Sequence, residues 1–455
     1  MIFRRRSRPK APFSYRKTRD KVRECASRSS QGKGDVELLK ALSLFTGIGG
    51  LDFGFEAAGF RTVAAVEADP AVAATIRLNR KWDVLQTRLD PRRVADVCSA
   101  AAIKNAGPID IVIAGPPCQP FSKAAYWRED GASGLDDPRS GTLNAFLRAI
   151  ALLRPRAFLL ENVPGFAARG HSGGLDRILR GVTRMNNALG TRYKVHWAKL
   201  NAADYGVPQI RERVFLVAAE DGREFTFPKP THRSGSDADA DASLALYATC
   251  WDAIGDVVEL TDEGLQMKGK WAGLLPSIPE GENYLWHTSR GGGMPLFGWR
   301  TRYWTFMLKL AKDRPSWTIQ SQSGSASGPF HWSNRRLSAT ELFRLQTFPG
   351  NVRCAASRTE MQRMVGNAVP SLLAEVLARE IKRQLFDVRL DAAKPFVLAV
   401  PKNETAPRRT PVRPVPPAYR GLVGVHADHP GPGLGPGVAA GARAKRDELR
   451  KLKAA

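Results

Sequence analysis

The chain has 455 residues, 43% of them hydrophobic and 8% aromatic, enough to fill two or three domain cores, and it holds no apolar run as long as a membrane span. Its 69 Lys and Arg outnumber 44 Asp and Glu for a net charge of +25, which predicts a polyanionic partner, nucleic acid above all: part of the charge sits in solvated tails, but Arg-rich patches recur inside the folded body. The five cysteines (Cys25, Cys98, Cys118, Cys250 and Cys354) are odd in number and scattered, with no CxxC pair. That pattern indicates neither a disulfide framework nor a zinc site, and no metal is expected. With a basic N-terminus that lacks the apolar core of a secretory signal, it suits a reducing cytoplasm.

Residues 1–39 are basic and polar, crowded with Arg4, Arg5, Arg6, Arg8 and Lys10, and predict a disordered tail. Folded sequence opens with a strand, Ala41-Leu42-Ser43-Leu44-Phe45, then Thr46-Gly47-Ile48-Gly49-Gly50 and a helix over 51–58. Strand, glycine turn and helix together form the nucleotide-binding start of a doubly wound α/β fold, because glycines let the backbone turn sharply and approach a ligand at the helix N-terminus. The next strand, 62–66, ends on Glu67, roughly 20 residues on, where such folds place an acid against ribose hydroxyls. Phe45 is placed either to lie against an adenine or to pack in the core. A third strand at 84–87 leads to Asp90, which before a proline is a turn former and in a nucleoside site an acceptor for the adenine amino group.

The run 109–114 reads as a buried strand and delivers Gly115-Pro116-Pro117-Cys118-Gln119-Pro120-Phe121-Ser122. The prolines hold this loop stiff and extended. A cysteine at the carboxyl end of a strand is on the ligand-binding edge of an open α/β sheet, placed to act as a nucleophile, although a lone cysteine is more often core. A helix over 142–153 and a strand over 157–160 then bring Glu161-Asn162-Val163-Pro164 to the same edge. Partly desolvated there, Glu161 is a candidate proton donor; a salt-bridged carboxylate is the plainer alternative. Arg211 and Arg213 alternate ahead of a strand over 214–218, suited to a base carbonyl or phosphates, or to pairing with Glu212.

From 220 to 332 the α/β alternation stops and Trp271, Trp286, Arg290, Trp299, Arg300, Tyr303, Trp304 and Trp317 accumulate, a loop-rich mixture suited to base edges and phosphates, with some of the tryptophans expected in the small domain's core instead. Order returns at Ser338 and Glu341, which have capping-box spacing, and Val365-Gly366-Asn367-Ala368-Val369-Pro370 leads into a long amphipathic helix with Leu373, Val376, Leu377, Ile381 and Leu385 on one side. The Pro-, Gly- and Arg-rich segment 389–455 predicts a second disordered tail.

The ordered set FTGIGG, GPPCQPFS, ENV, QIRER, RRLSATELFRLQTFP and VGNAVP resembles the motif series of the C5-cytosine DNA methyltransferases, the bacterial type II modification enzymes among them. The resemblance implies a Rossmann-like, S-adenosylmethionine-dependent methyltransferase domain, discontinuous over 40–220 and 335–388, with a smaller loop-rich target-recognition domain at 221–334. It implies that Cys118 is the nucleophile, that Glu161 contacts the cytosine ring, and that Arg211 and Arg213 lie near the base and its phosphates. Phe45, Gly47, Gly49, Glu67, Asp90, Asn367, Ala368 and Val369 fall where the family holds S-adenosyl-L-methionine. Double-stranded DNA is the implied partner, with a monomer as the working unit, a cognate restriction endonuclease as a companion and the bacterial nucleoid as the location. Thr46 stands where many members have Ser. Two other classes stay open: an RNA cytosine-5 methyltransferase of the same fold, against which the long Arg- and Trp-rich segment argues, and a catalytically silent DNA-binding relative, against which Cys118 and Glu161 together argue.

Overall fold

A computed structural model describes residues 38–117, 141–167, 173–237, 241–257, 263–300, 303–322, 324–391 and 393–428. Alternating strands and helices form β1 (Leu39–Leu44), α1 (Gly50–Ala57), β2 (Phe60–Glu67), α2 (Pro70–Asn79), β3 (Asp83–Gln86), α3 (Val94–Cys98), α4 (Ala101–Ala106), β4 (Ile111–Ala114), α5 (Gly141–Leu153), β5 (Ala157–Asn162), α6 (Gly174–Leu189), β6 (His196–Asn201) and β7 (Glu212–Ala219). The seven strands make one sheet in the order β3-β2-β1-β4-β5-β7-β6. Neighbours from β3 through β5 are parallel, and β7 runs against both β5 and β6. The strand order reverses between β1 and β4, which opens a ligand crevice beyond their carboxyl ends.

Both faces of the sheet are covered, which is why β4 is an unbroken apolar run rather than an alternating one. On one face Phe146 and Ile150 of α5 meet Ile178 and Val182 of α6 over Val112 and Phe158. On the other, α1 and α10 (Ser371–Leu385) pack over Ile111, Leu159 and Phe215. The expected face of α10 is the buried one, and Leu373, Leu377 and Ile381 are wholly inaccessible, each contributing roughly 1.5–3 kcal/mol by burial. Gly54 lets α1 and α10 touch: a side-chain carbon there would lie 2.4 Å from Ala374 Cβ.

A third apolar cluster joins α2 to α7 (Cys250–Ile254), α8 (Ala339–Leu345) and α9 (Arg358–Asn367). The Ser338 and Glu341 capping box forms as expected, with Ser338 Oγ accepting from Glu341 N at 3.3 Å and Glu341 Oε2 accepting from Ser338 N at 2.7 Å. Between α7 and α8 the chain is mostly irregular and has its own small core of Leu274, Leu275, Ile278, Tyr284, Met307 and Phe330. Among the described residues no helix is long and apolar enough to cross a membrane.

The expectation of a disordered tail from 389 does not hold over 393–428. Val397 N and Leu398 N donate to the Glu375 carboxylate at 2.8 and 2.9 Å. Farther on, Val415, Tyr419 and Leu422 pack on the small core, with Tyr419 in a short helix, α11 (Pro417–Arg420). Composition predicted an unfolded chain, but these few apolar side chains and backbone bonds to a preformed surface fix it.

Candidate active site

The turn after β1 is built from backbone that favours glycine. Phe45, Gly47 and Gly49 have φ of 54°, 56° and 85°, and Gly49 is the N-cap of α1. Thr46 N donates to Val66 O at 3.1 Å, which seats the turn on the end of β2. There the two Glu67 oxygens accept from Gly47 N at 2.9 Å and Asp69 N at 2.8 Å. Glu67 therefore locks the glycine turn to β2, and one lone pair on each oxygen is left for a ligand. Among the described residues, apart from its chain neighbours, no atom lies within 4 Å of where a side-chain carbon on Gly47 would be. This is the open cradle that close approach of a ligand to backbone requires.

Val369 O occupies the space where Gly50 would carry a side chain, 2.3 Å from the ideal position. The Asn367-Ala368-Val369 stretch is thereby laid against the start of α1. Ala368 and Val369 are buried and Asn367 is exposed. Asp69 caps α2 and pairs with Arg363 of α9 at 2.6 Å, binding the same two regions together. Asp90 lies beyond β3 on this edge, where its Oδ1 accepts from Arg92 N and Arg93 N at 2.8 and 3.1 Å. Those two donors hold its carboxyl below the usual range, and its turn-forming role is realised.

The second half of the site faces the end of β4. Glu161 and Asn162 belong to β5 itself rather than following it, so the Glu161 carboxyl is carried by sheet backbone and is only 7% exposed. Burial pushes that carboxyl up, against the pull of the Arg213 and Arg211 charges. Arg213 Nε is 2.9 Å from Glu161 Oε1, while Oε2 lies 3.6 Å from the position of a side-chain carbon on Gly115. Asn162 Nδ2 donates to Pro116 O at 3.3 Å and so pins the strand exit that leads to Cys118. Cys118 itself lies outside the described residues.

Sequence reasoning gives Asn162 no role, although it stands beside Glu161 in the run that it quotes. The two arginines differ more than their spacing suggests. Arg213 turns to Glu161, whereas Arg211 is wholly buried and donates to Ile319 O at 3.3 Å, Gly366 O at 2.7 Å and Ala368 O at 2.8 Å. Instead of meeting a base or phosphates, Arg211 ties the end of the irregular region to the segment around Asn367.

This sheet order, with one strand reversed beside a glycine turn and a buried strand-borne acid, defines the Rossmann-like methyltransferase fold. Residues 39–383 match the family model described as C-5 cytosine-specific DNA methylase, and the chain belongs to that family. It is 36% identical over 372 residues to the type II methyltransferase M.SacI of Streptomyces achromogenes, covering 76% of this chain and 93% of that one. To the type II methyltransferase M1.HphI of Haemophilus parahaemolyticus it is 33% identical over 356 residues, covering 75% and 86%. Among solved structures, Spodoptera frugiperda DNMT2 shares the fold with a TM-score of 0.51 at 16% identity, covering 76% of this chain and 99% of that one. The activity that goes with the family is DNA cytosine-5 methylation.

Proposed function

We propose that this protein transfers a methyl group from S-adenosyl-L-methionine to C5 of a cytosine flipped out of duplex DNA, through a covalent adduct at Cys118. The observation that carries the reading is the buried Glu161 carboxyl, paired with Arg213 and set against the Gly115-Pro116-Pro117 exit that leads to Cys118. The residues around the glycine turn fit the cofactor. Gly47 leaves an approach among the described residues, Glu67 offers acceptors for ribose hydroxyls, and Phe45, Gly49, Asp90 and Asn367 to Val369 are assigned the remaining cofactor contacts. S-adenosyl-L-methionine, when bound, supplies the electrophilic methyl group that C5 takes up.

The chain's own residues do the rest. The Cys118 thiolate forms a bond to C6 of the ring, the C5–C6 π pair shifts to C4–C5 and the C4–N3 π pair moves onto N3, which takes a proton from Glu161, so that C5 becomes the nucleophilic carbon of an enamine. After methylation C5 gives up its proton to water, the C5–H electron pair restores the C5–C6 double bond as the C6–S bond breaks with its pair staying on sulfur, and N3 returns its proton to Glu161. Cys118 leaves as thiolate. None of these atoms is accessible in a stacked duplex, so the base is extruded into the site. Arg213 fixes the orientation of Glu161.

Residues 221–334 act as the target-recognition domain and 40–220 with 335–388 as the catalytic domain. The separate small core between α7 and α8 supports that division. The protein works as a monomer on double-stranded DNA and protects its host's DNA beside a cognate restriction endonuclease. The test is transfer of labelled methyl from S-adenosyl-L-methionine to duplex DNA and, separately, to transfer RNA, with base-resolved mapping of 5-methylcytosine. Label at a fixed short sequence in duplex DNA is expected, and Cys118→Ser should abolish it while duplex binding survives. Label in RNA only, or transfer that persists in Cys118→Ser, would overturn the reading.

A further inference from the structure

Residues 393–428 lie beyond the part of the chain that matches the family, 39–383, yet they run from the catalytic helix α10 across the irregular region as a strap. Asn403 Nδ2 donates to Trp251 O at 2.8 Å, Thr410 N to Glu280 Oε1 at 2.8 Å and Arg413 N to Pro276 O at 3.1 Å. The Tyr419 ring stacks on Trp271 with its hydroxyl donating to Lys270 O at 2.9 Å, and His426 stacks on Phe297. The strap reaches Asp428, whose Oδ2 accepts from Ser289 Oγ at 2.8 Å and whose Oδ1 accepts from Trp299 N at 2.6 Å. One carboxylate thus draws together both ends of the loop 289–299.

That loop holds Gly291, Gly292 and Gly293 and exposes Arg290 and Met294. Left free, so many glycines would cost a large ordering entropy on binding. The Arg290 guanidinium instead lies over the Trp299 ring at 3.7 Å, which holds its planar fork ready for a guanine edge or a phosphate. An exposed carboxylate on a DNA-facing surface would repel phosphates. Here the Trp299 and Ser289 donors, with the charges of Arg290 and Arg300, hold the Asp428 carboxyl below the usual range and offset its charge.

We propose that Asp428 is a positioning residue for DNA recognition, closing the loop 289–299 so that Arg290 is presented to the duplex. The proposal rests on the reading of 221–334 as the target-recognition domain. In the full chain, Asp428→Ala, which removes both bonds, is expected to raise KM for duplex DNA by about tenfold and leave kcat and the KM for S-adenosyl-L-methionine within about twofold, since the lost bonds order a binding loop and touch no reacting group. Asp428→Glu, which keeps the charge, should recover part of the loss. Arg290→Ala, measured in parallel, separates the two levels of the argument. If Arg290→Ala raises KM for DNA and Asp428→Ala does not, the loop reads DNA and the role of Asp428 is overturned. If neither changes it, the recognition reading fails at this loop and the proposal falls with it.

Discussion

Arg213 Nε lies 2.9 Å from Glu161 Oε1, the two side chains standing on strands β7 and β5 that pair antiparallel. The arginine opposes the burial that raises the Glu161 carboxyl. Removing it in Arg213→Gln therefore leaves a carboxyl that releases its proton at still higher pH. A reaction that needs protonated Glu161 loses rate as pH rises through that pKa, so the basic limb of the kcat profile should move upward in the variant. Glu161→Gln should lower kcat by about 10²–10⁴-fold, the usual contribution of a general acid. A basic limb that stays put in Arg213→Gln would mean that some other group sets it.

Arg211 makes a structural prediction where Arg213 makes a catalytic one. Its two terminal nitrogens reach three carbonyls on two separate stretches of chain, at Ile319 and around Asn367. A lysine ammonium cannot span them, and Arg211→Lys would leave buried acceptors unpaired. The expected cost is about 2–4 kcal/mol, visible as a lower urea midpoint at unchanged slope. Cofactor binding should weaken too, because Gly366 and Ala368 flank Asn367. A variant that unfolds at the parent midpoint would show that the strut is dispensable.

Gly47 and Gly54 should separate binding from stability. An alanine at 54 would place its Cβ 2.4 Å from Ala374 Cβ and 2.5 Å from Glu375 N, so α1 and α10 must move apart, at about 1–3 kcal/mol. At Gly47 no described residue other than its chain neighbours fills the space and the penalty is conformational, since φ is +56°, worth about 1–2 kcal/mol. The added methyl points into the open cradle. Calorimetry should therefore find weaker S-adenosyl-L-methionine binding by Gly47→Ala than its loss of stability accounts for, and the reverse balance for Gly54→Ala. Parent-like cofactor affinity in Gly47→Ala would place the cofactor elsewhere.

Much of this arrangement is legible in the sequence because its signals are local. Ile111 to Ala114 is apolar throughout because both faces are covered, Glu67 closes a strand, and the Ser338 and Glu341 pair announces a helix start. The helix α6 also had a signal, with Leu175, Ile178, Val182 and Met185 at helical spacing and all buried, although sequence reading passes over it. The reversed direction of β7 was hidden, since an apolar strand does not reveal which way it runs. The fate of Arg211 was hidden for another reason: its acceptors lie 108 to 157 residues away along the chain, and spacing carries no trace of them. Residues 393–428 were misjudged because composition describes a free chain, whereas Tyr419, Arg413 and Asp428 find partners only on an already folded surface.

Asp52 offers a test of the fold that is independent of catalysis. It is buried beneath the glycine turn, accepting from Ser43 Oγ at 2.9 Å and Thr62 Oγ1 at 3.2 Å, and burial pushes its carboxyl up to about 7 from the ordinary 3.8. The folded protein therefore holds this proton more tightly than the unfolded chain does. The stabilisation it gives is complete below the unfolded value, is lost as pH rises between about 4 and 7, and does not change further above that. Asp52→Asn removes the titration, while the amide can still meet both hydroxyls, one as acceptor and one as donor. Relative to the parent, the variant should gain stability between pH 4 and 7, by roughly 4 kcal/mol at the upper end. The comparison is of slopes across pH in urea unfolding, which cancels any constant cost of the substitution. Parallel slopes in the two proteins would mean that Asp52 is ionised inside the fold, held there by the Ser43 and Thr62 hydroxyls.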